Sequence, residues 1–269
     1  MTAYESVDGL SVHVDGAVLG LTLDRAEKRN AMTDSMVQGM IRAITIAGND
    51  PAVRAIVLSG EGDHFCAGFD IVARNVGTGS RPRVGSIQRR LPAQAHRLIP
   101  LMMSVQTPIV CVAKGWVAGI GLQMALAADF TVVSDDARLW EPFTERGFTP
   151  DSGATWILPR RIGEVRAREM LLLGRVASGK EAHDWGMVHQ AVDRVALDEE
   201  ADRLIQALAS GATVALGLTK WLLASSPSVP LDAQLEHEAL ALELSSRSLD
   251  FREGLASFTD TRPPNFSGS

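Results

Sequence analysis

Apolar and polar positions alternate over Leu10 to Val14 and again over Ala17 to Leu23, with Asp15-Gly16 between them. Two such runs around an Asp-Gly pair predict a hairpin with a tight turn. The period then changes. Met36, Val37, Met40, Ile41 and Ile44 fall at helical spacing and predict a helix from about Thr33, whose hydroxyl suits a cap. Asn49-Asp50-Pro51 ends it. Arg54 to Ser59, Pro108 to Ala113 and Phe130 to Val133 read as short strands. Gly115 to Gly121 reads as a glycine-rich turn and Leu122 to Ala128 as a short apolar helix. Helices are predicted over Ser152 to Arg160, Glu164 to Leu173, Leu197 to Ala209 and Ala212 to Ala224. A long amphipathic one is predicted over Pro230 to Ser257, with Leu235, Ala239, Leu242 and Leu249 on one stripe. Strands and helices alternate to about residue 140 and the remainder reads as helical. That order predicts an α/β core over 1–195 and a C-terminal helical module over 196–269.

The stretch from Val72 to Arg90 follows no period. It mixes Gly77, Gly79, Pro82 and Gly85 with Arg74, Arg81, Arg83, Arg89 and Arg90, and reads as a mobile basic loop leading into a helix over about Ser86 to Val105.

Composition narrows the function. Hydrophobic residues make up 46% and charged residues 22% of the 269, an ordinary globular balance that excludes a disordered chain. The 26 Lys and Arg against 32 Asp and Glu give a net charge of −6, which argues against a nucleic-acid partner. Two cysteines, Cys66 and Cys111, are too few for a disulfide framework and point to reduced thiols and a cytoplasmic setting. Met1 to Asp8 is polar and predicts no export signal, and no apolar run approaches a membrane span.

Gly119-Ile120-Gly121 begins like a dinucleotide fingerprint, but Met124 stands where the third glycine belongs. His237-Glu238 lacks a second histidine, and no Cys/His cluster exists, so no metal is expected. No Gly-x-Ser-x-Gly elbow is present. Two glycine turns remain, Phe65-Cys66-Ala67-Gly68-Phe69-Asp70-Ile71 and Gly115 to Gly121, each after a strand and the second opening a helix. A helix N-terminus carries free N–H donors and a positive dipole end. Two turns aiming such donors at one point make an oxyanion hole.

These two segments resemble the oxyanion-hole segments of the crotonase, or enoyl-CoA hydratase/isomerase, superfamily. Further stretches are similar in the same order: Arg25 to Met32, Thr149 to Arg160, Ala182 to Val188, and Arg252-Glu253-Gly254 with Phe258 and Arg262. The resemblance implies an α/β spiral of β-β-α units with a C-terminal helical module, assembled as a homotrimer or hexamer. It implies an acyl-CoA thioester as substrate, with coenzyme A part of that substrate and no separate cofactor. The thioester oxygen would lie between the backbone N–H groups of Phe69 and Ile120. Lys28, Arg29, Ala31, Ala67, Gly68, Phe69, Asp70, Ile71, Gly119, Ile120 and Phe143 would contact the acyl-CoA.

The departures from that family are informative. Its hydratases hold one water between two glutamates, and the matching positions here are Gln123 and Phe143. Asp151, in Pro150-Asp151-Ser152-Gly153, instead matches the aspartate of the family's isomerases and dehalogenases, and its surroundings are most similar to the phenylacetate-pathway ring isomerase. A dehalogenase also needs aromatic and histidine helpers. Neither a Trp at the Phe143 position nor a His in the helix before the second turn is found in the matching places, although His96 is not far along. Thr261, not Lys, precedes Arg262. The resemblance thus implies a double-bond isomerase with Asp151 as acid and base. Hydration through Glu145, other family chemistry such as hydrolysis, and a silent acyl-CoA-binding paralogue are the alternatives. Asp151 as a simple helix cap is the plainer reading of that residue, and Glu141 is either a second carboxylate near the pocket or a surface or inter-subunit residue.

Overall fold

A computed structural model describes residues 4–71, 83–93 and 95–269. Strands β1 (Leu10–Asp15) and β2 (Val18–Leu23) form the expected hairpin. Asp15 pairs with Val18, so the turn is Gly16-Ala17, one residue later than the Asp15-Gly16 expected. The reason lies in the backbone: Gly16 takes φ +55, the positive first position such turns require. Helix α1 (Asp34–Ala47) starts at Thr33, whose Oγ1 accepts the Met36 N–H at 3.2 Å. Its apolar face, Met36, Val37, Met40, Ile41 and Ile44, is buried.

β3 (Ala55–Gly60) runs parallel to β2. The basic loop expected over 72–90 falls largely on residues 72–82, outside the described residues. The single helix expected over Ser86 to Val105 is instead α2 (Ser86–Arg90), two 3-10 turns, and α3 (Leu98–Ser104). Pro92, which has no N–H to donate, sits where the α-helical ladder gives way.

Then follow β4 (Ile109–Ala113), β5 (Trp116–Ala118), α4 (Ile120–Ala127), β6 (Phe130–Ser134), β7 (Arg138–Trp140) and α5 (Ala154–Leu173). Two helical stretches were expected within α5, and Gly163, at φ +74, kinks the helix between them. β8 (Ala177–Ser178), α6 (Gly179–Asp184) and β9 (Gln190–Val192) come next, and the sequence announces neither of the two strands. They are two and three residues long, too short for alternation to register, and their neighbours hold them by backbone pairing.

The strands form a six-stranded sheet, β1-β2-β3-β4-β6-β9, and a three-stranded sheet, β5-β7-β8. β4 goes to the large sheet and β5 to the small one before α4, and β6 and β7 repeat the pattern before α5. This is the α/β spiral of β-β-α units. Its main core contains Leu58, Phe65, Met102, Leu122 and Leu139.

The seam expected at 195–196 falls just before α7 (Leu197–Ala209), which lays Ala201, Ile205 and Leu208 over Ala55 and Val110 of the large sheet. α8 (Thr213–Ser225) is tied to the sheet by Lys220, whose Nζ lies 2.6 Å from Asp129 Oδ2 and donates to Thr107 O at 3.3 Å. The long C-terminal helix expected is two, α9 (Leu231–Ser245) and α10 (Leu249–Thr259). Ser248 interrupts it, its Oγ accepting the Phe251 N–H at 3.0 Å to cap α10. Among the described residues no single helix is long and apolar enough to cross a membrane.

Candidate active site

The two glycine turns are brought together by backbone pairing. Cys66 N–H donates to Trp116 O at 2.9 Å, and Ala118 N–H donates to Cys66 O at 2.9 Å. The two chains run in parallel to this point and both then turn on glycine, at φ +96 for Gly68 and +53 for Gly119. A Cβ on Gly119 would stand 3.7 Å from Gly68 Cα and 4.0 Å from Phe143 Cζ. Beyond each glycine comes the expected donor. Ile120 is the first residue of α4, and the first bond closing that helix runs from Gln123 N–H to Gly119 O at 3.1 Å. The Ile120 N–H therefore has no intrahelical acceptor and finds none elsewhere among the described residues. Phe69 is bridged to Met32, with Met32 N–H on Gly68 O and Asp70 N–H on Met32 O. That ladder leaves the Phe69 N–H on the opposite edge of its segment.

A loop at residues 25–31 closes over the first turn. Asn30 is fully buried: its Oδ1 accepts the Arg25 N–H, and its Nδ2 donates to Glu61 O and His64 O at 2.9 and 2.7 Å. Arg29 and Asn30 hold left-handed φ of +51 and +57, and Arg29 O accepts the Ala67 N–H at 2.9 Å. Lys28 and Arg29 are exposed, and Ala31 and Ala67 are half-buried. Burial and the nearby Arg29 charge hold the His64 imidazole below its ordinary value. Asp70, expected beside the ligand, pairs with Arg25 at 3.2 Å and so ties the two loops together. Ile71 is half-buried beside it.

The acyl side shows which carboxyls face inward. Gln123 is fully buried and its Nε2 donates to Glu141 Oε1. Glu141 is also 0% exposed, so the surface reading of this residue is wrong. Its short element, β7 and the following Pro142, is enclosed by α4 and the turn at Gly119, whose N–H donates to Trp140 O at 3.0 Å. No local pattern announces that enclosure. Phe143 is 5% exposed and packs edge-on against Phe148, ring centroids 5.6 Å apart. Glu145 is exposed and lies against Gly174, where a Cβ would meet its Oε1 at 2.4 Å.

Asp151 is half-buried. The cap of α5 is Gly153, which has no side-chain hydrogen bond, so the Asp151 carboxylate does not cap the helix. Ser152 (φ +54) and Gly153 (φ +93) turn the chain between them. Asp151 Oδ1 accepts the Ser152 hydroxyl at 2.9 Å, and its Oδ2 has no partner among the described residues. The Asp151 charge acts on Glu141. A cavity of about 420 Å³ adjoins the next residue, Ser152, and is also lined by Ile99, Met103, Gly153, Trp156 and Ile157. His96 also borders it, with a buried Nε2 that has no hydrogen-bond partner among the described residues. A larger cavity of about 800 Å³ lies between the β1–β2 hairpin, α7 and the C-terminal tail. The smaller one is lined by Ser152 and Gly153, the two residues that follow Asp151 in the chain, whereas Arg54 in the larger one is engaged with Phe266 O and Thr213.

Residues 13–269 match the enoyl-CoA hydratase/isomerase family. The chain is 37% identical over 258 residues to 1,2-epoxyphenylacetyl-CoA isomerase of Escherichia coli, covering 95% of this chain and 97% of that one. It is 30% identical over 246 residues to 4-chlorobenzoyl coenzyme A dehalogenase-1 of an Arthrobacter species, covering 91% and 88%. The crystal structure of enoyl-CoA hydratase from Bacillus anthracis superposes with a TM-score of 0.88 at 27% identity, covering 97% of this chain and 100% of that one. The paired glycine turns and the match along the chain have one reading: the protein belongs to the enoyl-CoA hydratase/isomerase family, the crotonase superfamily of acyl-CoA enzymes.

Proposed function

We propose that the protein is an acyl-CoA double-bond isomerase in which Asp151 moves the proton. The observation that carries this reading is the Asp151 carboxylate, half-buried, not engaged as a helix cap, and directly before Ser152 and Gly153, which line an apolar cavity. The thioester carbonyl oxygen accepts from the N–H groups of Phe69 and Ile120. Asp151 Oδ2 removes a proton from a carbon of the acyl chain, and the C–H electron pair delocalises onto that oxygen as a dienolate. The protonated Asp151 returns the proton two carbons away and the double bond has moved. Backbone donors held by two left-handed glycines need no rearrangement as the charge develops. Hydration is disfavoured because Gln123 and Phe143 cannot act as bases, while Glu145 lies against Gly174. Lys28 and Arg29, exposed at the rim, suit the phosphates of coenzyme A.

The test is a panel of 2-enoyl-, 3-enoyl- and dienoyl-CoA thioesters, linear and aromatic, followed by mass and ultraviolet absorbance. Isomerisation leaves the mass unchanged and shifts the absorbance. A product heavier by one water returns the hydratase reading, and binding without turnover returns the silent paralogue.

A further inference from the structure

Glu141 is a carboxyl that neither the proton transfer above nor the oxyanion hole uses. It is 0% exposed. Its Oε1 accepts from Gln123 Nε2, while Glu141 Oε2 and Gln123 Oε1 are both buried with no hydrogen-bond partner among the described residues. From α4 the group facing Glu141 is the neutral Gln123 amide, and from the segment before α5 the Asp151 charge acts on it. Among the described residues no Lys, Arg or His pairs with it.

An ionised carboxylate in this place would be stripped of water, beside a second negative charge, with one amide donor in return. Burying an unpaired charge costs far more than one hydrogen bond restores. A neutral acid avoids that cost and converts Oε2 from a second acceptor into a donor. The unpartnered atom beside it, Gln123 Oε1, is an acceptor. Terminal carboxyl and amide torsions are soft, so a small rotation of either group joins the two.

We propose that Glu141 is a resident protonated carboxylic acid of this site, a positioning residue that pairs with the Gln123 amide through both of its oxygens. The pairing holds Gln123 one turn behind the Ile120 donor, and the neutrality of Glu141 leaves Asp151 the carboxylate that accepts the substrate's proton. Burial first and the Asp151 charge second push the Glu141 carboxyl well above the carboxylate range, with the Gln123 hydrogen bond opposing them. The role of Asp151 rests on the isomerase reading above; the protonation of Glu141 does not.

Infrared difference spectroscopy of the full chain at pH 7, with no substrate present, tests it. The wild type should show the C=O stretch of a protonated carboxylic acid, absent from Glu141→Gln. Gln123→Met leaves Glu141 in place but removes its partner, so the band should shift in frequency there. A wild type without the band, or a band that neither substitution moves, overturns the proposal. Should Glu141→Gln not fold, the wild-type spectrum and Gln123→Met still decide it. Thermal denaturation gives a second readout. A carboxyl whose folded pKa is raised makes the folded state the tighter proton binder, so its contribution to stability is lost as pH rises above about 4.3. Wild type should lose melting temperature relative to Glu141→Gln between pH 5 and 9, and equal slopes count against the assignment. The infrared result stands whether or not the thioester panel finds isomerisation, so the two ideas fail separately.

Discussion

Gly68 and Gly119 face each other across the site, close enough that a methyl group on Gly119 would stand 3.7 Å from Gly68 Cα, and both hold positive φ. The contact fixes the separation of the segments that follow them, whose Phe69 and Ile120 N–H groups are the proposed oxyanion donors. Gly119, with φ +53 and ψ −126, occupies a region that residues with a Cβ avoid. Gly119→Ala should therefore cost about 1–3 kcal/mol of stability. It should lower turnover by roughly 10²-fold or more, as loss of one oxyanion donor does. Steady-state kinetics with a calorimetric melt measures both, and a variant of normal activity argues against Ile120 as a donor.

Asp151→Asn keeps the shape of the side chain and removes the base. Isomerisation should fall by at least ~10²-fold, with acyl-CoA affinity held within a few-fold, because affinity comes from the coenzyme A contacts and the oxyanion hole. Gln123→Ala should lower the rate much less. Its main effect should be on stability, a loss of about 1–3 kcal/mol from leaving the buried Glu141 without its amide donor. If Asp151→Asn stays active and a substitution at Glu145 abolishes turnover, the roles are reversed.

Lys220 anchors α8 to the sheet and is 8% exposed. Burial holds its ammonium below the ordinary value, while Asp129 pulls it back up. Asp129 is partly exposed and keeps the Ile109 N–H when Lys220 is removed, so the loss is that of charge-assisted hydrogen bonds, and Lys220→Ala should destabilise the fold by about 1.5–3 kcal/mol. Chemical denaturation measures the loss. The double variant Lys220→Ala with Asp129→Ala should recover part of it.

Cys66 and Cys111 are buried and unpaired. Burial pushes the Cys66 thiol up to about 12, and Cys111 is raised as well, by burial and then by Cys66. Native protein at pH 8 should thus react negligibly with a thiol reagent, and denatured protein should show two thiols. Folded values above the unfolded ~8.5 also mean stability that is complete below that pH and lost as pH rises toward 12. Melting temperature should decline through this alkaline range.

Leu235, Leu242, Leu249 and Phe258 in the C-terminal helices are 54%, 66%, 57% and 86% exposed. An apolar surface of this kind favours self-association. Light scattering should find a trimer or hexamer at micromolar concentration, and Phe258→Glu should weaken it. A stable monomeric wild type excludes the expected assembly.

Local pattern was enough to place the hairpin, α1 with its Thr33 cap and α7, and to single out Gly68 and Gly119, because each of these is written in residues a few positions apart; the turn expected over Gly115–Gly121 is instead strand β5 and the start of α4. That Gln123 and Phe143 carry no carboxylate was equally legible, since it is read straight from the sequence. The short strands β5, β7, β8 and β9 were not, because their stability comes from partners distant in the chain. The same holds for the carboxyls. Glu141 and Glu145 lie four residues apart in one polar-looking stretch, yet one is sealed against Gln123, 18 residues earlier, and the other lies on the surface against Gly174. Periodicity records which neighbours share a face. Whether a carboxyl keeps its water depends on which other elements cover it, and that is decided only when β7 docks beside α4.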